Sequence, residues 1–295
     1  MKKMSFLMAG LFACLFGNAQ EDTAVKKVNY PVGYNALFNV VYASGPGWEQ
    51  KLDLYLAPKD KGPVPIVINI HGGGWNHGTK ESQTGFSTFF KAGFAVANIE
   101  YRLTPQATAP AAVEDARCAL AYIVKNAAAL NVDVNKIVIM GGSAGGHLAL
   151  MAGLLANDHR FDGNCKGVEN IKVAAIIDKY GIADVNDWAY GPRITSKSAT
   201  RWLGDKAKDA AFIKSVSPIN YVTKNSPPTF IVHGDADPVV PYQQSVDLHK
   251  KFEEAGVKTT FVTIPGGLHG NFPQDKNSEL NKSIIVFLKE LNIAK

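Results

Sequence analysis

The 295-residue chain is short of cysteine, of clustered charge and of long apolar runs. It has three cysteines, and no Cys/His group carries zinc-ligand spacing, so no metal site is expected. The formal net charge of +5 is scattered, with no basic block and no stripe of alternating basic and aromatic residues, which argues against a nucleic-acid partner. The leading apolar run, Met4 to Phe16, is 13 residues long, too short to span a bilayer, so no stable membrane insertion is expected. There is no internal repeat and no low-complexity segment. One glycine-rich loop, at residues 71–75, lacks the lysine-serine pair or the following ribose-binding acid of a nucleotide phosphate loop.

What is present begins with a leader pattern. Lys2 and Lys3 precede the apolar run, and Gly17-Asn18-Ala19 supplies small residues before Gln20. Residues 1–19 therefore read as a secretory signal peptide and the protein as periplasmic or extracellular. A lipid anchor at Cys14 is the second reading, ranked lower because Phe12 is bulky and the apolar run continues past the cysteine. Loss of Lys2 and Lys3 with the leader lowers the formal charge from +5 to +3. Residues 20–295 suit one α/β domain with a sizeable core. Cys118 sits in an apolar helical pattern and reads as a small core residue, and Cys165 sits in a polar loop. The sequence leaves open whether the two are bonded.

Apolar or alternating runs predict strands near 36–42, 49–56, 65–70, 94–100, 136–140, 173–178, 228–233 and 258–264. Helical patterns lie near 82–92, 110–128, 144–157, 241–255 and 277–291. Pro110 and a run of alanines suit the start and body of the second helix. Strands alternate with helices from residue 65 onward, which predicts an α/β fold with a mostly parallel eight-stranded sheet covered on both faces. The first two strands are expected as an antiparallel edge. About fifty residues, 179–228, separate two successive strands and carry Trp188, Tyr190 and Trp202. So long a crossover reads either as a partial cap over a site or as an insertion that packs its aromatics against the sheet.

The chemistry centres on Gly141-Gly142-Ser143-Ala144-Gly145, placed between the β-branched run 136–140 and a helical pattern. A serine on a tight strand-to-helix turn is held exposed above a sheet end, and the next N–H, of Ala144, faces developing negative charge. Ser143 then needs a base and an orienting acid, in the chain order serine, acid, histidine. Asp237, in the loop after the run 228–233, is the acid, and nearby Asp235 reads as a turn former. His269, on a glycine-rich loop after the last strand, is the base. The other histidines read as structural: His71 and His233 bonding the loops they begin, His147 pointing into the domain. Gly73 and Gly74 of His71-Gly72-Gly73-Gly74-Trp75 are expected to complete an oxyanion hole with Ala144. Trp75, Trp188 and Tyr190 are the candidate substrate contacts. The mechanism read from these residues needs no cofactor.

These motifs, with Tyr101-Arg102-Leu103, Ser217-Pro218, Pro227-Pro228 and Gly267-Leu268-His269-Gly270, resemble the α/β-hydrolase-fold serine esterases related to hormone-sensitive lipases and to bacterial feruloyl and acetylxylan esterases. The resemblance covers about residues 36–291. It implies Ser143, Asp237 and His269 as the triad, in agreement with the residue-level reading. Two departures, the lack of an N-terminal helical cap and Gly141-Gly142 where the lipase group often has Gly-Asp, point to the carbohydrate-ester side. The expected substrate is a small-molecule or polysaccharide ester with a short acyl or hydroxycinnamoyl group. Two rival readings are a serine peptidase of the same fold and a non-catalytic binding module. Fluorophosphonate labelling separates both enzymes from the module, and paired ester and amide assays separate the enzymes.

Overall fold

The computed structural model describes residues 27–104, 106–165, 167–192 and 196–295. The leader at 1–19 and Cys14 lie outside these residues. Eight strands form one sheet in the order β1-β2-β4-β3-β5-β6-β7-β8. They are β1 (Asn35–Gly45), β2 (Trp48–Leu56), β3 (Val64–Ile70), β4 (Ala95–Ile99), β5 (Val132–Gly142), β6 (Ala175–Lys179), β7 (Thr229–Gly234) and β8 (Thr259–Ile264). The first two pairings, β1 with β2 and β2 with β4, are antiparallel, and the rest are parallel.

Whereas the edge strands β1 and β8 are mostly exposed or half-buried, the inner strands are rich in β-branched residues and largely buried on both faces, as a covered parallel sheet requires. Their alternation divides the core in two. Ile66, Ile68, Ile139, Ile176 and Ile231 face the larger cluster, under α2 (Ala111–Leu130), α3 (Ala144–Leu154) and α7 (Gln243–Glu254). Val67, Val138, Ile177 and Phe230 face the smaller cluster, under α1 (Ser87–Lys91) and α8 (Gln274–Glu290). Helix α2 ends where Asn131 takes a left-handed conformation, φ 56°, the stop that asparagine tolerates best after glycine. A Cys118–Cys165 disulfide ties α2 to the loop after α3. Beside it the buried Arg117 guanidinium donates two hydrogen bonds to the Asp162 carboxylate.

The helix expected at 82–92 is a correction. Only α1 forms there, preceded by a single 3-10 turn at Lys80–Ser82. Gly85 interrupts the segment, and the buried Asn98 side chain donates to the Lys80 and Gln83 carbonyls, holding the chain open. The long crossover contains α4 (Val185–Tyr190), α5 (Ser198–Leu203) and α6 (Ala210–Ser215). Its Trp188 and Trp202 are buried against Trp75, with Trp202 stacked on Trp75 at a ring distance of 4.3 Å. The crossover also reaches the site, where Trp188 and Ser198 line the cavity described below.

Candidate active site

The parallel strands end together at one edge of the sheet, and the site lies there. Strand β5 runs into Ser143, whose φ of 57° and ψ of −124° are a strained combination for a residue with a side chain. The turn closes because its flanking residues are glycines. A Cβ on Gly141 would collide with the Gly145 carbonyl, and one on Gly145 with the Ile70 carbonyl. The Ser143 N–H donates to the Lys179 carbonyl at 2.9 Å, which locks the turn to β6.

His269 Nε2 lies 2.8 Å from Ser143 Oγ, and its Nδ1 lies 2.7 Å from Asp237 Oδ2. Asp237 Oδ1 accepts the backbone N–H groups of Val239 and Val240. Its Oδ2 is shared with His233 Nε2, at 3.1 Å. Burial alone would raise the Asp237 pKa, but the hydrogen bonds from His233, His269 and Val239 outweigh it and hold the carboxyl far below its ordinary range. An ionised carboxylate only accepts, so Nδ1 of His269 carries the proton and Nε2 is free to accept from the Ser143 hydroxyl. His233 Nε2 also faces the Val240 carbonyl, another acceptor, so it bears the hydrogen, and Nδ1 takes the Ser245 hydroxyl. Asp235 stays outside this chain and accepts from the Gly266 N–H at 2.6 Å.

The loop after β3 lies opposite. Gly73 has a φ of 118°, and a Cβ there would collide with the His77 carbonyl. Its own carbonyl accepts from Asn76 and His77, at 3.0 and 3.1 Å. Among the described residues, no oxygen accepts from the N–H groups of Gly73, Gly74 or Ala144. Gly73 and Gly74 line the cavity with Ser143, and Ala144 follows at the N-terminus of α3. Three uncommitted N–H groups at this edge are the donor set that a tetrahedral oxyanion requires. Tyr101 anchors the loop by donating to the His71 carbonyl, and Thr104 by donating twice to the Trp75 carbonyl.

The cavity over Ser143 has a volume of about 580 Å³. Of the candidate substrate contacts, only Trp188 borders it, and that ring is 1 % exposed, with Nε1 donating to the Val239 carbonyl. Trp75 and Tyr190 are corrections. Trp75 is 0 % exposed, packed between Trp202, Trp188 and His147. Tyr190 is half exposed, outside the cavity lining, and donates to the Ala207 carbonyl. His147 is buried as expected and donates through Nε2 to the Val216 carbonyl; burial lowers its pKa to about 4, so it is neutral. Arg102 makes forked bonds to Asp115 and Glu114.

Sequence reasoning missed Tyr180, whose ring stands edge-on to His269 at 4.9 Å, and Lys179, which lines the cavity beside it. The i, i+4 spacing of His233 and Asp237 was the available signal for their contact.

The chain resembles known proteins in sequence and in fold. The BD-FAE family matches residues 52–252. Esterase LipQ of Mycobacterium tuberculosis is 31 % identical over 239 residues, 78 % of this chain and 56 % of that protein. Esterase LipC of the same organism is 29 % identical over 217 residues, 70 % of this chain and 53 % of that protein. The chain thus spans little more than half the length of these relatives. A truncated carbohydrate esterase from gut microbiota superposes with a TM-score of 0.77 at 31 % identity, over 90 % of this chain and 99 % of that one. An acetyl ester-xyloside bifunctional hydrolase from Caldicellulosiruptor lactoaceticus, at 24 % identity and a TM-score of 0.74 over 85 % of this chain and 92 % of that one, shares the fold. With its family match, its eight-stranded sheet and its serine at the strand-to-helix turn, the chain belongs to the BD-FAE family and has the α/β-hydrolase fold.

Proposed function

We propose that the protein is a serine carboxylesterase. The observation that carries this reading is the continuous chain Ser143 Oγ, His269, Asp237, with 2.8 and 2.7 Å links, facing the free N–H groups of Gly73, Gly74 and Ala144. Ser143 attacks the ester carbonyl while His269 Nε2 takes its proton. The oxyanion is held by the three N–H groups. His269 returns the proton to the leaving alkoxide, an acyl-enzyme remains, and water resolves it by the same steps. Asp237 fixes the His269 tautomer and stabilises its charged form.

The substrate we propose is a short-chain acyl or hydroxycinnamoyl ester carried on plant polysaccharide. Likeness to the gut carbohydrate esterase supports this, as does a small cavity edged mainly by glycines and polar side chains. A long acyl tail gains about 0.8 kcal/mol per buried methylene only where an apolar wall receives it. We also propose export through residues 1–19. The Cys118–Cys165 bond supports it, because disulfides persist in oxidising compartments.

Replacement Ser143→Ala is expected to abolish fluorophosphonate labelling and to lower turnover about a million-fold with the fold retained. On an acyl series, kcat/KM is expected to peak at acetyl to butyryl, with acetate or ferulate released from xylan oligomers. Near-normal turnover in the variant overturns the mechanism. A peak at octanoyl or beyond, with no release from xylan, overturns the substrate.

A further inference from the structure

The cavity wall carries a charge that the ester chemistry does not use. Among its described lining residues there is no Asp or Glu, and Lys179 is the one Lys or Arg. Lys179 closes β6, directly beside Gly142 in the neighbouring strand, and its carbonyl holds the Ser143 N–H. Its side chain projects from the sheet face opposite to that of Asp178, by the alternation of a strand. Asp178 points under α3, where a Cβ on Gly146 or Gly181 would run into its Oδ1. Lys179 therefore shares a face with Asn69, whose neighbours Ile68 and Ile70 belong to the opposite core cluster. Asn69, Ser82 and Gln83 line the same cavity, so this side of the nucleophile is a polar recess.

The Lys179 ammonium makes no ion pair or hydrogen bond with any described residue, in contrast to buried Lys80, which is paired with Asp53 at 3.1 Å and also with Glu81. Burial pulls its pKa down to about 8, so it is still mainly charged at neutral pH. An ammonium three donors strong, partly desolvated and without an acceptor, is poorly satisfied alone and well satisfied by an entering anion.

We propose that Lys179 is a specificity-determining residue that receives a carboxylate carried by the ester substrate. The carboxylate sits within a few bonds of the scissile carbonyl, because Lys179 is a strand neighbour of the turn that holds Ser143. It comes either from the acyl part, as in a dicarboxylic half-ester, or from a uronic acid beside the esterified sugar. The inference rests on the esterase reading above and adds the charge of the substrate to it.

The test compares matched esters. One pair is 4-nitrophenyl butyrate and the 4-nitrophenyl half-ester of succinate. The other is acetylated xylo-oligosaccharide without and with a glucuronic acid branch. In at least one pair the acidic member is expected to have the higher kcat/KM, by roughly ten-fold or more, as for a charge-assisted hydrogen bond. The pair that shows it identifies the source. The ratio is expected to fall towards one in Lys179→Met, mostly through KM, and to be retained in Lys179→Arg. No preference in either pair, or a preference that survives Lys179→Met, overturns the inference while leaving the esterase reading standing. Should Lys179→Met fail to fold, the wild-type protein decides. Succinate and glucuronate are expected to compete with a neutral ester where their methyl esters compete at least ten-fold less; equal competition overturns the inference. If the wild type cleaves no ester, the esterase reading fails, and calorimetric binding of succinate and glucuronate against their methyl esters decides the role of Lys179 by the same criterion.

Discussion

His233 and His269 donate to the same oxygen, Oδ2 of Asp237, from 3.1 and 2.7 Å. They approach from different elements, one at the end of β7 and the other on the loop after β8. The carboxylate is thereby held on both sides, with its second oxygen satisfied by two backbone N–H groups. His233 is itself fixed by Ser245 on α7 and by the Val240 carbonyl. It is a positioning residue, acting on the serine through Asp237 and His269.

Replacing it tests that arrangement. His233→Phe removes one donor from Asp237 and strands the Ser245 hydroxyl, so stability is expected to fall by about 1–3 kcal/mol. With one donor fewer, the Asp237 carboxylate is held from one side only and aims His269 less firmly, so kcat is expected to fall several-fold with KM little changed. A urea melt with steady-state kinetics checks both parts, and an unchanged kcat would reduce His233 to a packing role.

The two aspartates of the β7 loop are expected to separate cleanly. Asp237→Asn should lower turnover roughly 10⁴-fold with little change in KM, because an amide that donates to His269 selects the wrong tautomer. Asp235→Asn should cost only loop stability, since Asp235 accepts from the Gly266 N–H and touches no triad member. Steady-state kinetics on both variants decides, and reversed losses would mean that the orienting acid is Asp235.

Asp178 gives a pH dependence of opposite sign to Asp237. Its carboxyl is fully buried, neither oxygen has a well-formed hydrogen bond, and desolvation raises its pKa to about 7 against a weaker opposing pull from the Gly181 N–H. The unfolded value is about 3.9. Between about pH 4 and 7 the folded state binds the proton and the unfolded state does not, so this group makes the protein less stable as pH rises through that window. Above it the charged form carries the whole penalty, on the order of 4 kcal/mol. Asp178→Asn is expected to raise Tm at pH 8 and to flatten the stability curve across this window. Urea unfolding of both proteins at pH 5 and pH 8 measures it; an unchanged difference between the two pH values refutes the assignment. The Asp237 contribution runs the other way, present above about pH 4 and lost only as pH falls towards its depressed folded value.

The sheet was legible because its strands are runs such as Ile137-Val138-Ile139-Met140, β-branched and bounded by turn residues. Ser143, Asp237 and His269 were legible because each ends a strand or follows one, where parallel strands gather their loops. The segment at 82–92 was not, because its extended start depends on the side chain of Asn98 in a different strand. Nor was the burial of Trp75, whose stacking partner Trp202 arrives from the long crossover. Local sequence registers that an aromatic ring is present, and only the tertiary fold determines whether water or another ring covers it. Asp178 reads as the polar end of a strand and Lys179 as the first residue of the crossover, and nothing local separates a free charge from a paired one.

Trp75 stands immediately after the glycine loop and is wedged between two tryptophans of the crossover. The same crossover sends Ser198 against Gly74, where an added Cβ would lie 2.9 Å from its Oγ. Rate and selectivity are consequently not separable traits of two modules in this protein. Any remodelling of 179–228 to admit a new substrate also resets the aim of the N–H groups at Gly73 and Gly74, so exchanging the crossover between relatives should move kcat as readily as preference.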